Sequence, residues 1–67
     1  MDLKPFQQRV IDEQKDLDIK REKLAFFFHG ETFSKLPDDE QSRMSHQAQI
    51  MAQYSKVLGE RIAAFQT

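Results

Sequence analysis

The sequence predicts an all-α protein, an antiparallel hairpin of two long helices, on three observations. Apolar residues recur every seven positions in each half of the 67-residue chain: Leu3, Val10, Leu17 and Leu24, then Met44, Met51, Leu58 and Phe65. This spacing keeps one side of a helix apolar, whereas a strand needs alternation every second residue, which is nowhere sustained. Glycine and proline occur only twice each, so long stretches remain available for helix.

The first helix is predicted from about residue 3 to residue 28, with Phe6 and Phe27 at intermediate positions of its repeat. Pro5 suits a first helical turn, where its missing N–H would have no partner in any case. His29-Gly30 is predicted to end the helix, because glycine readily takes the left-handed conformation that closes one.

A tip over residues 29–37 leads to a second helix, predicted from about residue 38 to residue 65 and joined on its apolar side by Ala48 and Ile62. Asp38 is predicted to cap this helix, and Gln41 three positions later completes a capping-box pattern. Asp39 and Glu40 then lie where the helix dipole favours negative charge, which is a simpler explanation of this acidic triplet than a metal site.

A tip this short makes the two helices antiparallel neighbours within one domain spanning residues 1–67. The apolar repeats then propose a register, because residues 3 and 65, 10 and 58, 17 and 51, and 24 and 44 form pairs whose numbers all sum to 68. Four apolar pairs line one seam in this arrangement.

Phe26, Phe27 and Phe28 are consecutive and cannot share one side of a helix. Successive helical residues are about 100° apart, so the three rings sweep roughly 200° of the first helix. Phe27 is expected in the seam and Phe26 on the outer surface, while Phe28 meets Phe33 and Leu36 if the tip folds back.

Further apolar residues lie away from the predicted seam, and a chain this small cannot bury them alone. Exposed apolar patches of this size usually mark interfaces, so we expect hairpins to assemble into a homo-oligomeric bundle, a dimer or larger. The alternative is a monomer whose phenylalanines plug its tip. The predicted interface residues are Ile11, Ile19, Phe26, Phe28, Ile50 and Val57.

Polar residues interrupt the seam. Glu13 and Lys20 occupy positions that the heptad assigns to apolar residues, and Arg9 is placed to pair with Glu13 at i,i+4. The register in which paired residue numbers sum to 68 sets Gln7 opposite Arg61 and Gln14 opposite Tyr54. A candidate cluster therefore gathers toward the open end of the hairpin: Arg9, Glu13, Tyr54 and Arg61. Gln47 recurs with Tyr54 and Arg61 every seven residues along the edge of the seam and completes the set of candidate ligand residues.

Two interpretations of this cluster are open. The first is a network of hydrogen bonds and ion pairs that fixes register and oligomer order, a common use of polar seam residues. The second is a ligand site, in which the planar fork of arginine holds phosphate and tyrosine offers a flat face to a base. We favour the first on residue chemistry alone, because no member of the cluster is chemically distinctive.

Composition narrows the classes of function. The chain has ten Lys and Arg residues and eleven Asp and Glu residues, with the two signs interleaved along the sequence. This distribution disfavours electrostatic binding of nucleic acid, which needs a basic face. There is no cysteine, no signal-type apolar start and no run of membrane-spanning length, so we expect a cytoplasmic protein that contacts no membrane. Without catalytic motifs, and with His29 and His46 far apart, we expect no enzyme activity, metal or cofactor.

Over roughly residues 6–65 the chain resembles a family of small, largely uncharacterised helical phage and prophage proteins, named after an open reading frame of a crAss-like phage. The resemblance rests on "QRVIDEQKDL" and "EKL" in the first helix and on Phe33 and Leu36 in the tip. The second helix adds Gln47, Met51, Tyr54, Leu58 and Arg61-Ile62. The segment "FFFHGE" is more aromatic than the family pattern.

The resemblance implies an accessory protein acting in the cytoplasm of an infected bacterium, with counter-defence as one possible role. Two hypotheses follow for its partners. The chain is a non-enzymatic oligomer that sequesters a small nucleotide immune signal between subunits, or it is an interaction module whose outer apolar residues block a host protein. A purely structural helical assembly unit is a third interpretation, which the sequence does not separate from the second.

Overall fold

The computed structural model describes residues 3–65, which form three helices. Helix α1 spans Pro5–Phe28, α2 is a single turn over Glu31–Ser34, and α3 spans Asp38–Ala63. No strand occurs among these residues, so the all-α prediction is confirmed. The structure differs from the prediction in having three helices rather than two, because α2 forms inside the segment that was expected to be an irregular tip.

The two long helices lie side by side and run in opposite directions. At 1.5 Å per residue, α1 is about 36 Å long and α3 about 39 Å. The whole described chain measures only 49 × 15 × 14 Å, so α3 must return along α1 rather than continue beyond it. Direct hydrogen bonds between α1 and α3, described below, agree with this arrangement.

The core of the protein is a narrow seam between α1 and α3. Val10, Leu17 and Leu58 are the buried apolar residues, and Leu58 is fully inaccessible. Met51, Ile62 and Phe65 pack against them while remaining partly exposed. These residues come from the heptad repeats and their predicted companions, so the periodicity located them correctly. Leu3, also predicted in the seam, is 39% exposed.

The α1 residues that face α3 beside the apolar heptad repeat differ from the prediction. The residues that turn toward α3 beside Val10 and Leu17 are buried Gln7 and half-buried Gln14, Arg21 and Phe28. Phe6, Glu13 and Lys20 were expected there, but all three are exposed. Small residues on α3 are the physical reason, because Ser55 and Gly59 leave room for the Gln14 side chain.

Helix α1 starts with Pro5 in its first turn and ends at Phe28, as predicted, but the conformation that closes it differs. Pro5 is the first helical residue, and the N–H of Lys4 donates to Oε1 of Gln7 at 2.9 Å. His29 ends the helix in a right-handed conformation, and Gly30 has φ −91°. The predicted left-handed glycine is therefore wrong, because Gly30 is extended and is the residue immediately before α2.

The predicted cap of α3 is also wrong. Pro37 occupies the cap position without a side-chain hydrogen bond, and Asp38 is the first helical residue. In the first turn, Oδ1 of Asp39 accepts a hydrogen bond from the N–H of Glu40 at 3.0 Å. Gln41 donates its amide to the carbonyl of Leu36 at 3.0 Å and to that of Ser34 at 3.4 Å. Gln41 therefore braces the end of α2 rather than completing a capping box. The acidic first turn remains favourable to the helix dipole.

The three consecutive phenylalanines separate as predicted at the outer and tip positions. The Phe28 ring meets Phe33 edge to face with centroids 4.7 Å apart, and Phe27 reaches the same ring at 6.3 Å. Phe26 points outward with 83% of its surface exposed. Phe33 on α2 is thus the aromatic centre that holds the tip against the end of α1.

Candidate functional site

Three of the five predicted ligand residues line one groove along the side of the α1–α3 pair. Arg9 and Glu13 come from consecutive turns of α1, and Tyr54 faces them from α3. The groove encloses about 460 Å³ and is open to solvent. Its remaining lining residues are Asp12, Asp16, Leu17 and Lys20.

The other two predicted ligand residues lie outside this groove. Gln47 is exposed two turns before Tyr54, with its amide 3.9 Å from Sδ of Met51. Arg61 is exposed in the last turn of α3 and does not line the groove. A single chain therefore brings together only part of the predicted set.

The predicted contacts of the cluster also differ from those in the structure. The ion pairs within residues 3–65 join Arg21 to Asp18 and Arg43 to Asp39 and Glu40, so the predicted Arg9–Glu13 pair is wrong. Both of its members are exposed, where an ion pair adds little to stability.

Charge in the groove is unfavourable to an anion bound by one chain alone. Arg9 and Lys20 contribute two positive charges, while Asp12, Glu13 and Asp16 contribute three negative ones. Carboxylates this close to a phosphate would repel it, and the repulsion is stronger the shorter their separation. An anionic ligand therefore needs further positive groups, and a neighbouring copy of the chain is a source of them.

A different polar network crosses the seam. The Gln14 amide donates to the backbone carbonyl of Ser55 at 3.0 Å, and the Ser55 hydroxyl donates to Oδ1 of Asp18 at 2.7 Å. Arg21, one turn further along α1, donates to the same carboxylate oxygen at 3.1 Å. Ser55 is buried, so these contacts tie α3 to a fixed level on α1.

The network stabilises the ionised form of Asp18. The hydrogen bond from Ser55, together with the hydrogen bond and positive charge of Arg21, holds the pKa of Asp18 below its usual value. This matches the role of the first interpretation, a network that fixes register, but the residues are not those named from the sequence. Gln14 donates to Ser55 rather than to Tyr54, and Gln7 accepts a hydrogen bond from the N–H of Lys4 at the start of α1.

A signal for this network was present in the sequence. Gln7, Gln14 and Arg21 recur every seven residues, in step with Leu3, Val10 and Leu17 but displaced by four positions. Ser55 likewise falls between Met51 and Leu58 at heptad spacing. Polar residues at seam spacing opposite small ones predict cross-helix hydrogen bonds.

The predicted interface residues divide into two groups. Ile19, Phe26, Ile50 and Val57 are exposed, with half or more of each side chain's surface accessible. Ile11 and Phe28 are half-buried, and Phe28 belongs to the tip cluster around Phe33. Four large apolar side chains thus remain without partners inside the described chain.

A second groove, of about 610 Å³, lies where α2 meets the first half of α3 and contains no predicted ligand residue. Its lining is mostly uncharged and polar: Phe33, Asp38, Gln41, Ser42, Ser45, His46 and Gln49. Residues 3–65 contain no group of three or more His, Cys, Asp or Glu side chains arranged to hold a metal ion. Neither long helix in this part of the chain is apolar enough to cross a bilayer.

Comparison with known proteins identifies a family for this chain. A family model described as Sequestin matches residues 4–64, nearly the whole chain. This match confirms the family resemblance noted in the sequence. No curated protein and no solved structure matches the chain.

Proposed function

Because this chain belongs to the Sequestin family, we propose that it sequesters a small nucleotide signal in pockets between subunits of a homo-oligomer, without enzymatic turnover. The family name supports sequestration as the activity. The nucleotide, the oligomer of helical hairpins and the counter-defence setting inside an infected bacterium are our proposal. The observation that carries it is the groove in which Tyr54 faces Arg9 and Glu13.

Each groove residue has a role in this proposal. Tyr54 is 44% exposed, which leaves its ring face available for stacking on a base. Arg9 forms no ion pair within residues 3–65, so its guanidinium is available to hold phosphate through paired hydrogen bonds. Glu13 accepts hydrogen bonds from a base edge or a ribose hydroxyl and orients the ligand.

Gln47 and Arg61 enter the site from a second subunit in this proposal. Neither lines the groove of its own chain, whereas the groove alone carries one more negative than positive charge. Arg61 from a neighbouring copy offsets that excess and adds a second phosphate-binding fork. The site is complete only in an assembly, which is also what the exposed apolar residues require.

A thermal-shift panel of cyclic and linear nucleotides tests the proposal. A ligand at one hundred times its dissociation constant adds about 2.7 kcal/mol to stability, which raises the melting temperature of so small a domain by roughly 10–20 °C. Tyr54→Ala is expected to abolish the shift, whereas Gln53→Ala, an exposed neighbour outside the groove, retains it. A flat response across the panel from a folded oligomer would remove the nucleotide from the proposal.

A second candidate function is supported by the exposure of Phe26. An aromatic ring that is 83% accessible, one turn before the tip, is suited to insertion into a groove of a host protein. Phe26→Asp would then abolish capture of that protein while the variant keeps its fold and subunit count. Loss of assembly in this variant instead assigns Phe26 to self-association, as in a purely structural assembly unit.

A further inference from the structure

Helix α3 carries a second heptad stripe on the side that α1 does not cover. Its members are spaced alternately by three and four residues, and all six are exposed: Gln47, Ile50, Tyr54, Val57, Arg61 and Ala64. We call this set the outer stripe. The inner stripe of the same helix packs against α1 and includes Met51, Ser55 and Leu58. Two such stripes on one helix are typical of a bundle with helices on both sides.

We propose that a second copy of this chain covers the outer stripe, with the two α3 helices antiparallel, and thereby closes the Tyr54 groove into an inter-subunit site. The proposal deepens the proposed function, since it names the subunit contact on which that function rests. Antiparallel heptads pair layer by layer about a twofold axis. The layers that use every member of the outer stripe join Gln47 to Ala64, Ile50 to Arg61, and Tyr54 to Val57, each pair summing to 111.

The charge of Arg61 favours the antiparallel direction. Parallel helices in register would place two Arg61 side chains against each other in one layer of the contact, where like charges repel. In the antiparallel register each Arg61 lies level with Ile50 of the other copy, and the two arginines are about 16 Å apart along the axis at 1.5 Å per residue. The aliphatic part of Arg61 then packs on Ile50 while its guanidinium reaches solvent or the groove.

The area that a stable interface needs indicates that the contact between the two copies extends from the outer stripe to the groove. The outer stripe from Gln47 to Ala64 is about 26 Å long, and a helix is roughly 10 Å wide, so two paired stripes cover only about 500 Å² in total. A specific interface buries about 1,000 Å² or more. The second copy must therefore also contact the side of α1 next to Tyr54, whose residues Arg9, Glu13 and Lys20 line the groove.

Disulfide cross-linking tests both the surface and the direction, because the native chain has no cysteine. Gln47→Cys and Ala64→Cys are made as separate variants at exposed positions and oxidised alone or as an equal mixture. The antiparallel contact yields a disulfide dimer in the mixture, joining residue 47 of one copy to residue 64 of the other. Neither variant alone yields a disulfide dimer, since the single cysteines of the two copies are then about 25 Å apart.

Lys56→Cys is the matched control. Residue 56 is level with the twofold axis, which passes between residues 55 and 56 in this register, but it is not in the outer stripe. Dimers of Gln47→Cys alone indicate parallel helices and overturn the proposal, as do equal yields from the control or no dimer in any sample. The reactions contain no nucleotide, so their result is separate from the thermal-shift panel. A disulfide dimer joined from residue 47 to residue 64, together with no thermal shift from any nucleotide, retains this interface and rejects the ligand. A thermal shift without that dimer retains the ligand and rejects the interface.

Discussion

The hydroxyl of Ser55 donates a 2.7 Å hydrogen bond to the carboxylate of Asp18, and this contact joins the two long helices across their seam. Ser55 is only 5% exposed, so its hydroxyl exchanges water for a single charged acceptor. The backbone carbonyl of the same residue accepts from Gln14, which makes Ser55 the point where two α1 side chains meet α3.

We expect Ser55→Ala to destabilise the protein by about 1 kcal/mol, the usual value for a lost intramolecular hydrogen bond, partly offset by the higher helix propensity of alanine. Urea unfolding followed by circular dichroism measures the change. Ser42→Ala, exposed on the same helix, is the control and should stay within about 0.5 kcal/mol of the native chain. Equal effects from the two substitutions would contradict a role for the buried hydroxyl.

The lowered pKa of Asp18 predicts acid sensitivity. Because the folded state favours the ionised carboxylate, Asp18 contributes stability that is complete above its ordinary pKa of 3.8 and is lost as pH falls through the lower folded-state pKa. We expect Asp18→Asn to be less stable than the native chain at neutral pH, and the difference to shrink below about pH 4.

Urea midpoints measured from neutral pH to about pH 2 test this dependence. Asp16→Asn provides the control, since Asp16 is exposed on the same helix and makes no hydrogen bond to α3. A stability difference for Asp18→Asn that stays constant over the whole range would show that the Ser55 and Arg21 contacts do not act through the charge of Asp18.

Leu58 is the only large side chain among residues 3–65 with no accessible surface. We expect Leu58→Ala to cost about 2–5 kcal/mol, because truncation removes apolar contacts and leaves a cavity that neighbouring side chains fill only in part. A loss of that size is comparable to the whole stability of a small domain, so the variant should melt far below the native chain or be unfolded. Lys56→Ala, exposed two residues before Leu58, should change little. Comparable melting of the two variants would place the core elsewhere.

Gly59 and Gln14 are predicted to be energetically coupled. A Cβ atom added at Gly59 would lie 3.1 Å from Nε2 of Gln14, closer than an ordinary contact, and would disturb the hydrogen bond from that amide to Ser55. Gly59→Ala should therefore be nearly neutral in the native chain, because a gain of about 1 kcal/mol in helix propensity is offset by the disturbed amide.

In a Gln14→Ala background the obstacle is gone, and Gly59→Ala should stabilise the protein by about 1 kcal/mol. A double-mutant cycle measured by urea unfolding gives the coupling energy between the two positions. Additive effects would mean that the Gln14 side chain moves aside without loss, and that its hydrogen bond to Ser55 contributes nothing measurable.

Heptad spacing was sufficient to predict both long helices and the central apolar part of their seam, although Leu3, predicted there too, is exposed. Val10, Leu17 and Leu58 were assigned to the interior from periodicity alone, and the structure buries all three. The same periodicity also brought Arg9, Glu13 and Tyr54 to one side of the pair. Periodicity did not decide whether the residues three positions or four positions after Val10 and Leu17 face α3. Glu13 and Lys20, three positions after them, were predicted to face α3, but the structure exposes both.

The sequence by itself determined the fold class, the helix lengths and the excess of apolar surface, because these depend on local spacing and composition. Only the tertiary structure decided which polar residues meet between the helices. That choice depends on the rotation of α1 about its axis, which is set by small partners on α3: Ser55 and Gly59 admit Gln14, and Ser55 binds Asp18. The roles of Gly30 and Gln41 were decided there as well, since both serve the extra turn α2.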